Sequence, residues 1–164
     1  MSLTMPIELK KSKLIFWDFD GVIKESVEVK SEAFFELFAK FGKEIANNIL
    51  THHKENMGIS RFVKIPLYLK MANQTVSSEL TQKYLEDFSK AVFDSVANCP
   101  WVPGVREYLL RYGSEKKFIL VTATPQEEIV SLLKLGSILD CFCEIYGAPN
   151  DKSSVVKSVL LKQS

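Results

Sequence analysis

The sequence predicts an α/β protein: a short parallel sheet with helices between its strands, interrupted after the first strand by a block of helices. Three observations lead there. Leu14-Ile15-Phe16-Trp17 is an apolar run of strand formers that ends on Asp18-Phe19-Asp20-Gly21. After Pro100 the pattern reads helix, strand, helix, strand, helix, and such alternation builds parallel sheets through crossover helices. From about Glu28 to Ala97 there is no strand-like alternation, only helical periodicity and loop.

The first strand carries the chemistry. Two aspartates two positions apart would point the same way if the strand continued. Gly21 eases the sharp turn that follows, because it has no Cβ to oppose unusual dihedrals. Two acids at the end of a buried strand are expensive unless a metal or a reaction uses them. Asp18 and Asp20 are therefore the leading catalytic and metal candidates.

The remaining elements follow in order. Phe34, Leu37, Phe38 and Phe41 form one face of a helix, with Ser31 as its expected N-cap and Gly42 as its stop. Leu85, Phe88, Val92 and Val96 make a second stripe before Pro100. Val105 to Arg111 is a short helix ended by Gly113. Phe118 to Val121 is a buried strand. Thr124-Pro125-Gln126-Glu127 has the form of a capping box with proline at the first helical position, which assigns Thr124 to capping. That helix runs to Leu135 and Gly136. Cys141 to Tyr146 is the next expected strand, followed by the turn Gly147-Ala148-Pro149-Asn150. Asp151 is the expected cap of a last helix, Ser153 to Lys162.

Composition excludes more than it asserts. A chain of 164 residues can bury a real core, and 21 Lys+Arg against 20 Asp+Glu leave a net charge of +1. That balance offers no field for nucleic acid or for a membrane surface. No apolar run approaches the about 18 residues needed to cross a bilayer. The lysines before Leu14 are not followed by a secretory apolar region, since the run ends at Asp18. Met1-Ser2-Leu3 ahead of Met5 reads as an expression remnant. Cys99, Cys141 and Cys143 form no disulfide framework and lack nearby soft ligands for zinc, which fits a cytoplasmic protein with reduced thiols.

Asp18-Phe19-Asp20-Gly21-Val22-Ile23 resembles the first motif of the haloacid dehalogenase-like (HAD) hydrolases, in their capped phosphatase and phosphomutase branch. Val121-Thr122-Ala123-Thr124-Pro125 resembles the second motif, and Lys152 is the candidate third. The resemblance implies a Rossmann-like core, residues 1–27 and 98–164, with a helical cap, residues 28–97, inserted after the first motif. It implies that Asp18 is a nucleophile and that Asp20 protonates the leaving group. Mg²⁺ would be held by Asp18 and Asp20, the latter through its backbone carbonyl. Thr122, Ala123 and Lys152 would bind phosphate; Lys157 and Lys162 are alternatives to Lys152 but fall inside the helix. Gly58-Ile59-Ser60-Arg61 resembles the substrate-facing cap loop of sugar-phosphate enzymes. Asn56, Ser60, Arg61 and Lys64 are thus candidates for an anionic, hydroxylated ligand, against the alternative of a solvated helix face. Glu25 departs from the aspartate common in relatives, outside the reaction centre.

The implied activity is removal of phosphate from a small phosphorylated metabolite, with a sugar-phosphate phosphomutase as the close alternative. A dehalogenase fits less well, because those relatives lack the acid at Asp20. The fourth motif, which brings further aspartates on a strand after the lysine helix, has no counterpart after Asp151. This makes the sheet incomplete on its C-terminal side and keeps open a fragment of a longer protein or a non-catalytic binding domain. It also predicts weak Mg²⁺ binding, little activity of these 164 residues alone, and self-association through an exposed sheet edge.

Overall fold

The computed structural model describes residues 11–162, so the reading of Met1 to Met5 lies outside it. In chain order the described elements are β1 (Leu14–Trp17), α1 (Val27–Ala39), α2 (Lys43–Glu55), α3 (Arg61–Met71), α4 (Ser78–Asn98), α5 (Val105–Tyr112), β2 (Lys117–Pro125), α6 (Gln126–Leu135), β3 (Glu144–Ala148) and α7 (Lys152–Leu161). They fall into two compact units. One is Ser26–Cys99, and the other joins the segments on either side of it, through Glu25 and from Pro100. No described helix is long and apolar enough to cross a membrane.

The α/β unit holds a parallel sheet in the order β1-β2-β3. Period 2 along β2 sends alternate side chains to opposite faces. Ile119 and Val121 meet Val155 and Val159 of α7, with Leu14, Phe16 and Tyr146 packed around them. Phe118 lies among other aromatics: its ring is 5.4 Å from Trp17, 5.8 Å from Tyr108 of α5 and 6.5 Å from Phe142. Phe118 is fully buried. Taking such a ring out of water stabilises the fold by about 2–3 kcal/mol. Among the described residues β1 pairs only with β2.

The helical unit is built on aromatic contacts. Phe34 of α1 stacks 4.1 Å from Phe88 of α4 and sits edge-on to Tyr68 of α3 at 5.2 Å. Phe38, one turn on, reaches Tyr84 and Tyr68 at 5.2 and 5.9 Å. Val92 and Val96 of the predicted stripe are buried, while Tyr84 takes a core position beside the half-buried Leu85.

Three boundaries differ from expectation. α1 begins at Val27, so Ser31 lies inside the helix, buried, and its hydroxyl donates to the Val27 carbonyl at 2.9 Å. That is the back-bonding available to any mid-helix serine, and it removes Ser31 from the N-cap. Cys141 closes a 3₁₀ turn (Leu139–Cys141), and β3 starts only at Glu144. The strand-forming character of Cys-Phe-Cys is overridden by the turn itself, in which the Cys141 and Phe142 N–H groups donate to the Ile138 and Leu139 carbonyls at 3.1 and 3.2 Å. Gly113 does follow α5, but in a right-handed conformation, φ −60°. Its need for glycine is space: a Cβ there would lie 2.8 Å from the Leu109 carbonyl oxygen and 3.0 Å from Cys141 Cα.

Candidate active site

β1 ends at Trp17 and hands the chain to Asp18. One carboxylate oxygen of Asp18 accepts the Phe19 N–H at 2.8 Å, and the other receives the Lys152 ammonium at 2.5 Å. Lys152 comes from the first position of α7, 134 residues along the chain. Its place is set by Asp151, which caps α7 by accepting the Ser154 N–H at 2.8 Å and the Ser153 hydroxyl at 2.7 Å. The Ser153 hydroxyl first, then the Ser154 N–H, holds the Asp151 carboxyl below its usual range. A lysine at a helix N-terminus opposes the helix dipole, and the Asp18 carboxylate offsets that conflict. Both partners are about a third exposed. The pair therefore stabilises the fold by less than about 1 kcal/mol and matters for position instead.

Asp20 stands on a tight, braced turn. Gly21 takes φ +73° and donates its N–H to the Lys24 carbonyl at 2.7 Å, while Ile23 and Lys24 donate to the Phe19 carbonyl. That positive φ is the one place in the turn where a Cβ would be strained. Two further bonds tie the turn to the segment after α4: Glu25 N–H to Pro100 at 3.0 Å, and Val102 N–H to Ile23 at 3.1 Å. The buried Lys24 ammonium sits 4.2 Å from the Trp101 ring centre, a cation–π contact that reinforces the seam.

The C-terminal end of β2 supplies hydroxyls. Thr122 and Thr124 are both 1% exposed, with the half-buried Ala123 between them. The Thr124 N–H donates to the Thr122 hydroxyl oxygen at 3.2 Å, which leaves the Thr122 proton to donate elsewhere. Thr124 itself departs from its expected capping role. It belongs to β2, Pro125 occupies the N-cap of α6, and the Thr124 hydroxyl donates to Asp20 at 3.3 Å. The junction is held by Gln126 instead, whose side-chain oxygen accepts the Gly147 N–H at 2.5 Å and whose amide donates to the Ile145 carbonyl at 3.1 Å. The β2–β3 register breaks between Val121 and Pro125, where these threonines sit. Such irregularities commonly re-aim side chains beside active sites.

The candidates of the helical unit have partners inside that unit. The Asn56 amide donates to the His52 carbonyl at 2.9 Å, and Ser60 caps α3 by accepting the Phe62 N–H at 3.3 Å. The Arg61 guanidinium donates to the Ser89 hydroxyl at 2.7 Å and lies 4.7 Å from the Phe88 ring centre. The Lys64 ammonium meets His53 Nδ1 at 3.0 Å. Burial, and secondarily the charge of Lys30, lowers the Lys64 pKa to about 8. Lys54 pairs with Glu28 at 3.4 Å on the surface.

Among the described residues no group of three or more His, Cys, Asp or Glu converges as a metal cage. The Asp18 carboxylate and the Asp20 backbone carbonyl are nevertheless hard oxygen donors. A small divalent ion of the magnesium type needs only one or two such groups, filling its shell from water and substrate oxygens, so the pair fits it.

A parallel α/β sheet, paired acids at the end of its first strand and a lysine brought to them from a helix N-terminus define a class of protein with its site at the C-terminal ends of the strands. Residues 15–157 match the family model of the haloacid dehalogenase-like hydrolases, and the chain belongs to that family. Its fold is similar to that of a β-phosphoglucomutase from Clostridium difficile, at 24% identity and TM-score 0.67, over 86% of this chain and 64% of that one. A predicted phosphoglycolate phosphatase from Haemophilus somnus aligns at 17% identity and TM-score 0.65, over 92% of this chain and 71% of that one. A haloacid dehalogenase-like family hydrolase from Streptococcus pneumoniae gives 15% and 0.60, over 93% and 70%. No curated protein matches the chain.

Proposed function

We propose that this protein is a Mg²⁺-dependent phosphatase acting on a small phosphorylated metabolite through an aspartyl-phosphate. The observation that carries the reading is the pairing of Asp18 with Lys152, which unites the end of β1 with the start of α7. In this reading an Asp18 oxygen attacks phosphorus while the Phe19 N–H and the Lys152 ammonium hold the carboxylate in line. Thr122 donates its free proton to a phosphoryl oxygen, beside the Ala123 backbone. Asp20 gives a proton to the departing alkoxide, then takes one from the water that attacks the aspartyl-phosphate. A magnesium ion held by Asp18 and Asp20 would neutralise the repulsion between carboxylate and phosphate.

The test is phosphate release by the full-length protein from a panel of phosphorylated metabolites, with and without Mg²⁺. Chelator-sensitive release supports the reading, and product analysis separates hydrolysis from return of the group to the same sugar. No release from any ester with Mg²⁺ present would refute it. Asp20→Asn is expected to slow alkyl phosphates by roughly 10²-fold or more, and activated aryl phosphates far less, because only the former need a proton on the leaving oxygen. Equal losses on both substrates would remove Asp20 from the acid role.

Arg61 is proposed as a substrate-binding residue of the helical unit, with Asn56, Ser60 and Lys64 as its companions. Arg61→Ala is expected to raise KM for the natural substrate by about tenfold or more, from the loss of about 1.5–3 kcal/mol of charge-assisted hydrogen bonding, with turnover of p-nitrophenyl phosphate unchanged. Because Arg61 also stacks on Phe88, the melting temperature is measured alongside. A drop in stability with KM unchanged would make the residue purely structural.

A further inference from the structure

The Thr124 hydroxyl lies inside the protein, on the irregular end of β2, aimed at the acid that follows the first strand by one turn. We propose that Thr124 is a positioning residue for Asp20, holding its carboxylate toward the site through the Thr124 Oγ1 to Asp20 Oδ2 contact. The inference rests on the reading of Asp20 as proton donor and acceptor.

Several observations converge on it. Thr124 is 1% exposed, so its hydroxyl needs a partner within the protein, and Asp20 supplies an acceptor. Its backbone is locked from two sides. Its N–H is bound to the Thr122 hydroxyl, and the next residues are clasped to β3 through Gln126 and Gly147. The clasp is close: a Cβ on Gly147 would lie 2.7 Å from the Thr124 carbonyl oxygen and from the Gln126 nitrogen. Asp20 rises from a turn braced by backbone bonds to Lys24, Pro100 and Val102, and these fix its main chain. A rigid hydroxyl beside a carboxylate on a turn is an arrangement that orients the carboxylate. At 3.3 Å the bond is long for O–H···O, as catalytic hydrogen bonds often are before substrate binds.

A proton donor turned away by an ångström loses much of its effect, since misplacement on that scale costs up to about 10²-fold. The expected consequence is selective. Thr124→Val keeps the shape of the side chain and removes the hydroxyl, while Thr124→Ser keeps the hydroxyl. In the wild type and both variants, kcat and KM are measured with glycerol 3-phosphate and with p-nitrophenyl phosphate, and melting temperatures are recorded. A crystal structure of Thr124→Val gives the Asp20 side-chain orientation directly.

The result expected is a fall of about tenfold or more in kcat on the alkyl ester for Thr124→Val, with less than about twofold on the aryl ester. KM should be unchanged, Thr124→Ser should restore turnover, and the Asp20 carboxylate should be rotated in the crystal structure. Equal losses on both esters, or no rescue by serine, would overturn the proposal. So would an Asp20 carboxylate that keeps its place in Thr124→Val. Should the wild type hydrolyse no phosphate ester, the phosphatase reading fails, and the crystal structures alone decide whether Thr124 holds Asp20.

Discussion

Asp18→Asn is expected to abolish phosphoryl transfer, with turnover lowered by roughly 10⁴-fold or more, as when other covalent nucleophiles are removed. The amide is nearly isosteric and keeps an oxygen for one of the two donors, the Phe19 N–H or the Lys152 ammonium, while its NH2 faces the other. It cannot attack phosphorus as a carboxylate does. Stability should change little, because the ion pair it weakens is about a third exposed at both ends. The measurement is steady-state turnover of a variant whose mass spectrum excludes deamidation. Near wild-type turnover would show that another group is the nucleophile.

Lys152→Met is expected to lower kcat by about 10²–10³-fold, the loss typical when one preorganised group facing developing charge is deleted. Methionine is a good helix former and spans a similar length. The side effect on the fold is small. A cation at the first position of α7 works against the helix dipole, and Asp151 already satisfies the cap. Relief of the dipole conflict and loss of the ion pair to Asp18 are each worth less than about 1 kcal/mol and opposite in sign, so thermal stability should stay nearly level while activity collapses. A loss of stability with kcat intact would reverse the assignment, making the pair to Asp18 a structural tie.

Much of this was legible in the chain, and the reasons differ by residue. Leu14–Trp17 was readable because a short apolar run broken by two acids has few other uses. Asp151 was readable because a capping aspartate marks a helix start, and Lys152, just after it, through its place after the second motif in the family resemblance. Thr124 was misread because two local rules compete at Thr-Pro-Gln-Glu: the same four residues write a capping box and the end of a strand. Tertiary structure decides between them, through the clasp of Gln126 to Gly147 and Ile145, neither adjacent in sequence. The period-2 spacing of Thr122 and Thr124 was the available signal. Ser31 was misread for a simpler reason: the stripe begins at Phe34, but the helix opens a turn earlier, at Val27, with no change in the apolar pattern to announce it. Lys24 carried no signal at all, since a lysine finds an aromatic ring only once Trp101 is folded beside it.

The seam that joins Ile23 to Val102 and Glu25 to Pro100 has a consequence for how such a protein can change over time. The chain departs for its helices and comes back at neighbouring points, so Ser26–Cys99 behaves like a parenthesis in the sentence of the α/β unit. Its wording can be lengthened, shortened or replaced while the clause around it still parses, because the strand that carries Asp18 is stitched shut on its own side of the brackets. Insertions are tolerated best where chain ends lie close together. In this molecule Asp18, Asp20, Thr122 and Lys152 all lie outside the brackets.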